Sequence, residues 1–220
     1  AGATFSLASP GAGFTVGPNA SLTINQTNFD FDGPNGGITT VNVEAFGQLV
    51  VNAADYDLDP GANGFDGVIN LNNGDATVNS SDARFVMNGV LNMLSNISGN
   101  VTVWSGQPLD IGNDLISSAQ LNVTGTGVSR FGSVVRFRAD AVVNVAAGAI
   151  LDFNNVVTFE PVGVASTGQF TGAGTMRFNG PVNVNEATTL NMTGGAIDLD
   201  GVDDTGDLIS VNAALTINAA

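Results

Sequence analysis

The chain has 220 residues, with 5 basic and 20 acidic side chains, no His, no Cys and a formal net charge of −15. Without His, Cys or Lys, it has no side chain for a Ser-His-Asp triad, a Cys-based zinc or iron–sulfur site, a disulfide or a Schiff base. The negative charge disfavours contact with phosphate backbones and anionic lipid. We therefore expect a non-enzymatic protein that binds no nucleic acid.

The composition nevertheless predicts a folded protein. Hydrophobic residues make up 43% of the chain, whereas charged residues make up only 11%, so the polar surface must come from Asn, Thr, Ser and Gly. No run of about 18 apolar residues is present, so we expect no membrane insertion.

A repeat follows along the chain: an apolar residue, any residue and Val, then five residues, then Leu, any residue and another apolar residue. Five copies cover 14–24, 41–51, 101–111, 143–153 and 182–192, and a shortened sixth covers 209–217. Alternation places the apolar side chains of each strand on one face, and the spacer of Gly, Ala, Asn or Pro allows a corner. The repeat predicts short strands in units of about 20–30 residues.

The strand pattern fits two folds. We predict an all-β, single-stranded parallel β-helix (β-solenoid), because the strands are very short and the corner spacing is constant. Asn25, Asn52 and Asn154 each follow a second strand, where stacked amides can form hydrogen-bonded ladders. The alternative is an antiparallel β-sandwich or jelly roll. In the first case residues 1–220 form a single β-solenoid domain or an excerpt of a longer repetitive chain.

Two segments, VNVAAGAILDFNN at 143–155 and FTVGPNASLTIN at 14–25, carry a resemblance to known proteins. They resemble the right-handed β-helices of filamentous-haemagglutinin-like exoproteins and autotransporter passenger domains. The resemblance covers most of the chain from Phe14 onward and is one of repeat style. It implies a secreted, extracellular or cell-surface protein with a structural or adhesive role.

Acidic clusters are the candidate metal sites. In the first cluster, carboxylates at relative positions 1, 3, 5 and 12 and an amide at 9 are typical of a calcium loop, although Pro60 replaces the usual Gly. Its candidate ligands are Asp55, Asp57, Asp59, Asn63 and Asp66. The candidate ligands of the second cluster are Asp198, Asp200, Asp203, Asp204 and Asp207. Either cluster is a calcium site or a set of solvated turn residues.

Two further groups of side chains suggest contacts. Arg130, Arg136 and Arg138 either form a stripe for an acidic neighbouring subunit or an anionic glycan, or pair locally with Asp140 or Asp152. The 13 Phe residues are expected in the core, among them Phe137, Phe153, Phe159 and Phe178. Trp104 lies in a corner spacer, so we expect it to be exposed and available to a ligand or partner.

Three functions remain open from the sequence. The first is a structural or adhesive solenoid that stacks head to tail into a filament or surface layer and contacts host or cell-surface glycans. The second is a β-helix that binds or cleaves polysaccharide through acidic groups, although Glu44, Glu160 and Glu186 are far apart in sequence. The third is a jelly-roll filament subunit joined by donor-strand exchange through residues 3–7.

Overall fold

A computed structural model describes residues 4–6, 13–30, 40–55, 68–72, 75–80, 85–87, 90–95, 101–105, 108–111, 120–137, 141–160, 169–199 and 209–219. These residues form strands and turns, and no helix occurs among them. Within these ranges, therefore, there is no helix that is long and apolar enough to cross a membrane.

The described residues form short strands, as the repeat predicts. The first twelve are β1 Thr4–Ser6, β2 Gly13–Val16, β3 Ser21–Asp30, β4 Thr40–Val43, β5 Gln48–Asp55, β6 Val68–Asn72, β7 Asp75–Ser80, β8 Phe85–Met87, β9 Val90–Ser95, β10 Val101–Ser105, β11 Leu109–Ile111 and β12 Gln120–Gly125. The next twelve are β13 Val128–Phe131, β14 Val135–Phe137, β15 Val142–Val145, β16 Ile150–Phe153, β17 Val157–Phe159, β18 Gln169–Gly172, β19 Thr175–Phe178, β20 Val182–Val184, β21 Thr188–Met192, β22 Ala196–Asp198, β23 Ile209–Val211 and β24 Leu215–Ala219.

The strands assemble into three sheets in which the strand order follows the chain. Sheet I has the order β1-β3-β5-β7-β10-β13-β16-β19-β22, and sheet II has the order β2-β4-β6-β9-β12-β15-β18-β21-β24. Sheet III has the order β8-β11-β14-β17-β20-β23. Every pairing between described strands is parallel.

This topology is compatible with the predicted β-solenoid. From β12 onward the chain visits sheets II, I and III in turn before it returns to sheet II. Hydrogen-bonded residues on successive strands of sheet II are 27, 28, 22 and 30 positions apart, within the predicted unit length. The parallel pairing disfavours the sandwich and jelly-roll alternative. Residues 4–6 of the candidate donor segment form β1, which pairs in parallel with β3 of the same chain.

The repeat copies form the predicted strand–corner–strand units, but they do not all connect the same sheets. The copies at 14–24, 41–51 and 143–153 lead from sheet II into sheet I. The copy at 101–111 leads from sheet I into sheet III, and those at 182–192 and 209–217 lead from sheet III into sheet II. The same sequence pattern therefore serves three different corners.

Four of the corners from sheet II to sheet I, those after β2, β4, β15 and β21, share one turn. In each, the amide of the fourth residue donates to the carbonyl of the first, as in Ala20 to Gly17 at 3.1 Å and Ala149 to Ala146 at 3.0 Å. The third residue has a positive φ in all four of these corners: Asn19 at 56°, Phe46 at 58°, Gly148 at 82° and Gly194 at 78°. This is the pattern of a type II turn, whose third residue is left-handed.

Aromatic side chains from all three sheets meet in one core. Phe131, Phe153 and Phe178 stack along sheet I, with ring centroids 5.6 and 5.1 Å apart. Phe137 of sheet III packs edge-on against Phe153 at 5.6 Å and against Phe170 of sheet II at 5.0 Å. These rings are almost fully buried, which confirms the predicted core position of Phe137, Phe153 and Phe178. Phe46 lies in a corner and is 59% exposed, so the prediction that every Phe fills the core is wrong at this residue.

Candidate functional site

Parallel, in-register strands place equivalent outward side chains one above another, so each sheet carries rows of surface residues that run across its strands. Row spacing equals the distance between neighbouring strands, about 4.8 Å. The composition of these rows differs from sheet to sheet, and they are the most regular surface features of the described residues.

The central outward row of sheet II consists only of Asn and Thr, and we call it the Asn/Thr row. Its nine members, one per strand, are Thr15, Asn42, Asn70, Asn92, Asn122, Asn144, Thr171, Asn191 and Asn218. Along part of it, each Asn donates Nδ2–H to the Oδ1 of the preceding Asn. The distances are 2.8 Å for Asn70 to Asn42, 2.7 Å for Asn92 to Asn70 and 2.9 Å for Asn122 to Asn92.

The sequence predicted amide ladders at other positions. Asn25 and Asn52 are in register on sheet I, and Asn154 instead accepts a hydrogen bond from Asn179 Nδ2 at 2.7 Å. The predicted positions therefore belong to two separate rows. The Asn/Thr row itself was missed, although Asn between two apolar residues, as at Asn42 and Asn122, signals an amide that points outward from a strand.

Sheet I carries a row of alternating charge: Arg130, Asp152, Arg177 and Asp198 occupy equivalent positions on successive strands. Arg177 donates from Nε to Asp152 Oδ1 at 2.5 Å and from Nη2 to Asp152 Oδ2 at 2.8 Å. The Asp152 side chain is only 4% exposed. Arg130 Nη2 also approaches Asp152 Oδ2, at a distance of 3.9 Å. This bidentate ion pair links the neighbouring strands β16 and β19.

The predicted arginine stripe is not a single surface. Arg130 lies on β13 of sheet I, and Arg136 lies on β14 of sheet III, while Arg138 falls outside the described residues. Asp152, one of the two predicted partners of Arg130, lies near it, but Asp152 makes a closer contact with Arg177. Asp140 also lies outside the described residues.

Trp104 is exposed, as predicted, with 42% of its surface accessible. It lies on β10 of sheet I opposite Gly132, and a Cβ on Gly132 would come within 2.9 Å of Trp104 Cδ1. The glycine therefore leaves room for the indole to lie close to the strand surface. Because it is on sheet I, Trp104 is not part of the Asn/Thr row.

The candidate calcium ligands lie mostly outside the described residues. Asp55 ends β5 and Asp198 ends β22. The other members of the two clusters lie beyond the described ranges: Asp57, Asp59, Asn63, Asp66, Asp200, Asp203, Asp204 and Asp207. Among the described residues there is no group of three or more His, Cys, Asp or Glu that could hold a metal ion. The calcium sites remain a prediction.

The three Glu residues occupy corners. Glu44 follows β4, whereas Glu160 and Glu186 follow β17 and β20, which are neighbours in sheet III. Partial burial raises the pKa of the Glu186 carboxyl above its ordinary value through desolvation. Glu160 and Glu186 therefore both lie beyond the C-terminal ends of neighbouring strands.

The last strand of sheets II and III exposes side chains that are buried one strand earlier. Val211 of β23 is 50% exposed, although Val184, its partner in β20, is fully buried. Ile217 of β24 is 41% exposed, whereas its partner Leu190 in β21 is 1% exposed. Among the described strands none covers β23 or β24 on this side, and the inward face there remains apolar.

No known protein family, curated protein or solved structure matches this chain.

Proposed function

We propose that the chain is a non-enzymatic β-solenoid building block of an extracellular filament or cell-surface layer, in which copies stack end to end. The solenoid part of this proposal is supported by the cyclic visit to three parallel sheets and by the contacts of Phe137 with rings from the other two. Three sheets that share one core are expected when each coil buries its inward face against its neighbours.

The exposed inward side chains of the last strands are the observation that carries the stacking proposal. Val211 and Ile217 are in register with Val184 and Leu190, which are buried on the preceding strands of their sheets. They lie on β23 and β24, the end strands of sheets III and II within the described residues, and the backbone groups at the outer edge of an end strand can pair with another strand. Burial of these side chains and pairing of these edges would both favour association with another parallel layer.

The opposite edge of sheet II offers a matching surface. Phe14 of β2 belongs to the inward row that ends at Ile217, and Thr15 belongs to the outward row that ends at Asn218. If β2 of one copy lies beside β24 of another, Ile217 meets Phe14 and Asn218 meets Thr15. Both rows then continue across the junction. Because such a contact uses different surfaces on the two copies, it can repeat without closing.

The extracellular, non-enzymatic part of the proposal is supported by the composition and by the repeat style. The chain has no His, Cys or Lys with which to build the common nucleophilic and acid–base sites. The resemblance to secreted bacterial β-helices supports export and a structural or adhesive role. The Asn/Thr row supports the adhesive role, because it is a polar surface that consists only of Asn and Thr side chains.

The stacking proposal is tested on the purified 220-residue chain by sedimentation velocity and negative-stain electron microscopy over a range of concentrations. We expect rods of uniform width whose lengths are multiples of one unit. Because each copy carries a net charge of −15, 0.5 M NaCl should screen repulsion between copies and lengthen the rods relative to 0.05 M NaCl.

Matched variants locate the contact. Ile217→Lys places a charge on the exposed inward row and should leave only single units, whereas Thr189→Lys changes an outward position one strand earlier and should assemble normally. Circular dichroism checks that both variants keep the β fold. A wild-type chain that stays monomeric at every concentration and salt level contradicts the proposal, and so does normal rod formation by Ile217→Lys.

A further inference from the structure

We infer that the outward face of sheet II binds an uncharged polysaccharide, whose chain lies across the strands along the Asn/Thr row. This inference deepens the adhesive part of the proposed function and rests on it. It names the face and the chemical class of the ligand. It does not depend on end-to-end stacking, because the face is complete within one copy.

The absence of charge is the first observation that favours such a ligand. The Asn/Thr row has nine positions, and none is charged. The neighbouring row, which starts at Gly13 and ends at Thr216, also has nine positions and holds only Gly, Thr, Val and Gln. By contrast, the central row of sheet I contains Arg130, Asp152 and Arg177. The other flank of the Asn/Thr row is not free of charge, because Glu44 directly follows β4 there. In a chain with a net charge of −15, two uncharged rows of this length nevertheless disfavour ionic partners.

The remaining hydrogen-bonding capacity is the second observation. A side-chain amide has two N–H donors and two lone pairs on its oxygen. Asn70 and Asn92 each use one donor and one lone pair within the ladder, and the hydrogen bonds among the described residues leave one of each. The row is accessible to a ligand, since its members are half-buried from Asn42 to Asn122 and exposed from Asn144 onward. Sugar hydroxyls, which both donate and accept, complement such pairs.

The geometry of the row suits a polymer better than a small molecule. Nine rungs at the spacing of parallel strands, about 4.8 Å, give a straight track about 38 Å long. The hydrogen bonds between neighbouring amides already fix the side-chain conformations of Asn70 and Asn92. Binding therefore costs little additional side-chain entropy. Many weak, equivalent contacts along one track favour a repetitive chain through multivalency.

A second copy of the chain is the competing occupant of this face. Face-to-face pairing of two copies would bring two bodies of charge −15 together over their full length, which long-range repulsion opposes. A neutral polysaccharide adds no such repulsion. Its binding should consequently change little between 0.05 and 0.5 M NaCl, whereas lateral pairing of copies should strengthen as salt screens the repulsion.

The test is affinity gel electrophoresis of the wild-type chain in gels that contain hydroxyethyl cellulose, xyloglucan, laminarin or dextran, together with polygalacturonate as the charged comparison. We expect retardation by at least one neutral polysaccharide and none by polygalacturonate. Asn144→Lys combined with Asn191→Lys should weaken the retarding interaction at least tenfold. Asn183→Lys, at the centre of β20 on sheet III, is the matched control and should bind as wild type.

Three results would overturn the inference. Failure of every neutral polysaccharide to retard the chain excludes the proposed ligand class. Equal losses in the sheet II variant and in Asn183→Lys, or loss of binding only in Trp104→Ala, place the site elsewhere. Repeating the electrophoresis with Ile217→Lys shows whether polysaccharide binding depends on end-to-end assembly. Binding without rods overturns only the stacking, and rods without binding overturn only this inference.

Discussion

Arg177 and Asp152 are 25 residues apart in sequence, yet they form a two-point hydrogen-bonded ion pair between neighbouring strands of sheet I. The carboxyl group of Asp152 is almost completely shielded from solvent, and Arg177 covers it. A shielded acid of this kind depends on its partner, because an uncompensated buried charge is costly.

Removal of Arg177 should therefore destabilise the chain strongly. We expect Arg177→Ala to lower the free energy of unfolding by about 3 kcal/mol, as is typical when one partner of a buried pair is lost. Arg130→Ala, whose guanidinium is 3.9 Å from the same carboxyl, should cost less than about 1 kcal/mol. Urea unfolding measures both. Adding Asp152→Asn to Arg177→Ala should restore part of the loss, and equal effects of the two Arg variants would contradict this role.

A substitution at the Phe46 corner should increase the stability of the fold. Phe46 has a φ of 58° and is 59% exposed, so its side chain gives little packing in return for a strained backbone. A left-handed conformation costs a non-glycine residue about 1–2 kcal/mol, and Gly removes that cost at some loss in unfolded-state entropy. We expect Phe46→Gly to raise the free energy of unfolding by about 1 kcal/mol.

The reverse substitution at the equivalent position is the control. Gly148 has a φ of 82°, and an added Cβ would meet its nearest neighbour, Thr126 Cγ2, at an ordinary 3.7 Å. Gly148→Ala thus tests backbone strain without a clash, and it should lower stability by about 1 kcal/mol. If neither variant shifts the urea midpoint, the shared turn is not maintained in solution.

We expect the Asn/Thr row to stabilise the fold as well as to form a polar surface. Asn92 donates to Asn70 and accepts from Asn122, so Asn92→Ala removes two hydrogen bonds. We expect a loss of about 1–2 kcal/mol in urea unfolding, because each bond contributes about 1 kcal/mol. Asn183→Ala on sheet III is the comparison and should cost less than about 0.5 kcal/mol, as for an ordinary surface position.

Glu186 should give a pH-dependent effect. Burial raises the pKa of its carboxyl in the folded state, so ionisation is less favourable there than in the unfolded chain. The resulting loss of stability is absent below the ordinary Glu pKa and is complete once the pH has risen above the folded-state pKa. Glu186→Gln should therefore raise Tm at pH 7 and leave it unchanged at pH 3. A rise of equal size at both pH values would show that ionisation is not the cause.

The acidic clusters predict a response to calcium. Carboxylates in loops bind Ca²⁺ through several oxygens, and binding to the folded state alone raises its stability. After treatment with a chelator, addition of CaCl₂ should raise Tm, and the same concentration of NaCl should not. Asp57→Asn with Asp59→Asn tests the first cluster, and Asp203→Asn with Asp204→Asn tests the second. An unchanged Tm in the wild-type chain would remove both sites.

The candidate site was only partly visible in the sequence. Burial of Phe153 followed from its place in the alternating pattern. Trp104 is exposed as predicted, but it lies on strand β10 and not in a corner spacer. The pairing of Arg177 with Asp152 could not be predicted, because it depends on the register of strands about one unit apart. The separation of Arg130 from Arg136 has the same origin, since the chain turns from sheet I to sheet III between them.

The sequence by itself determined the strands, the corners and the face of each strand that is buried. These features are local, because a two-residue period sorts side chains between two faces whatever lies next to the strand. Only the tertiary structure decided which sheet each strand joins and which residues share a row. That choice depends on loop lengths that vary between units, and hence on which distant strand supplies the backbone partners. For this reason the −15 charge could be read from composition, but the two uncharged rows of sheet II could not.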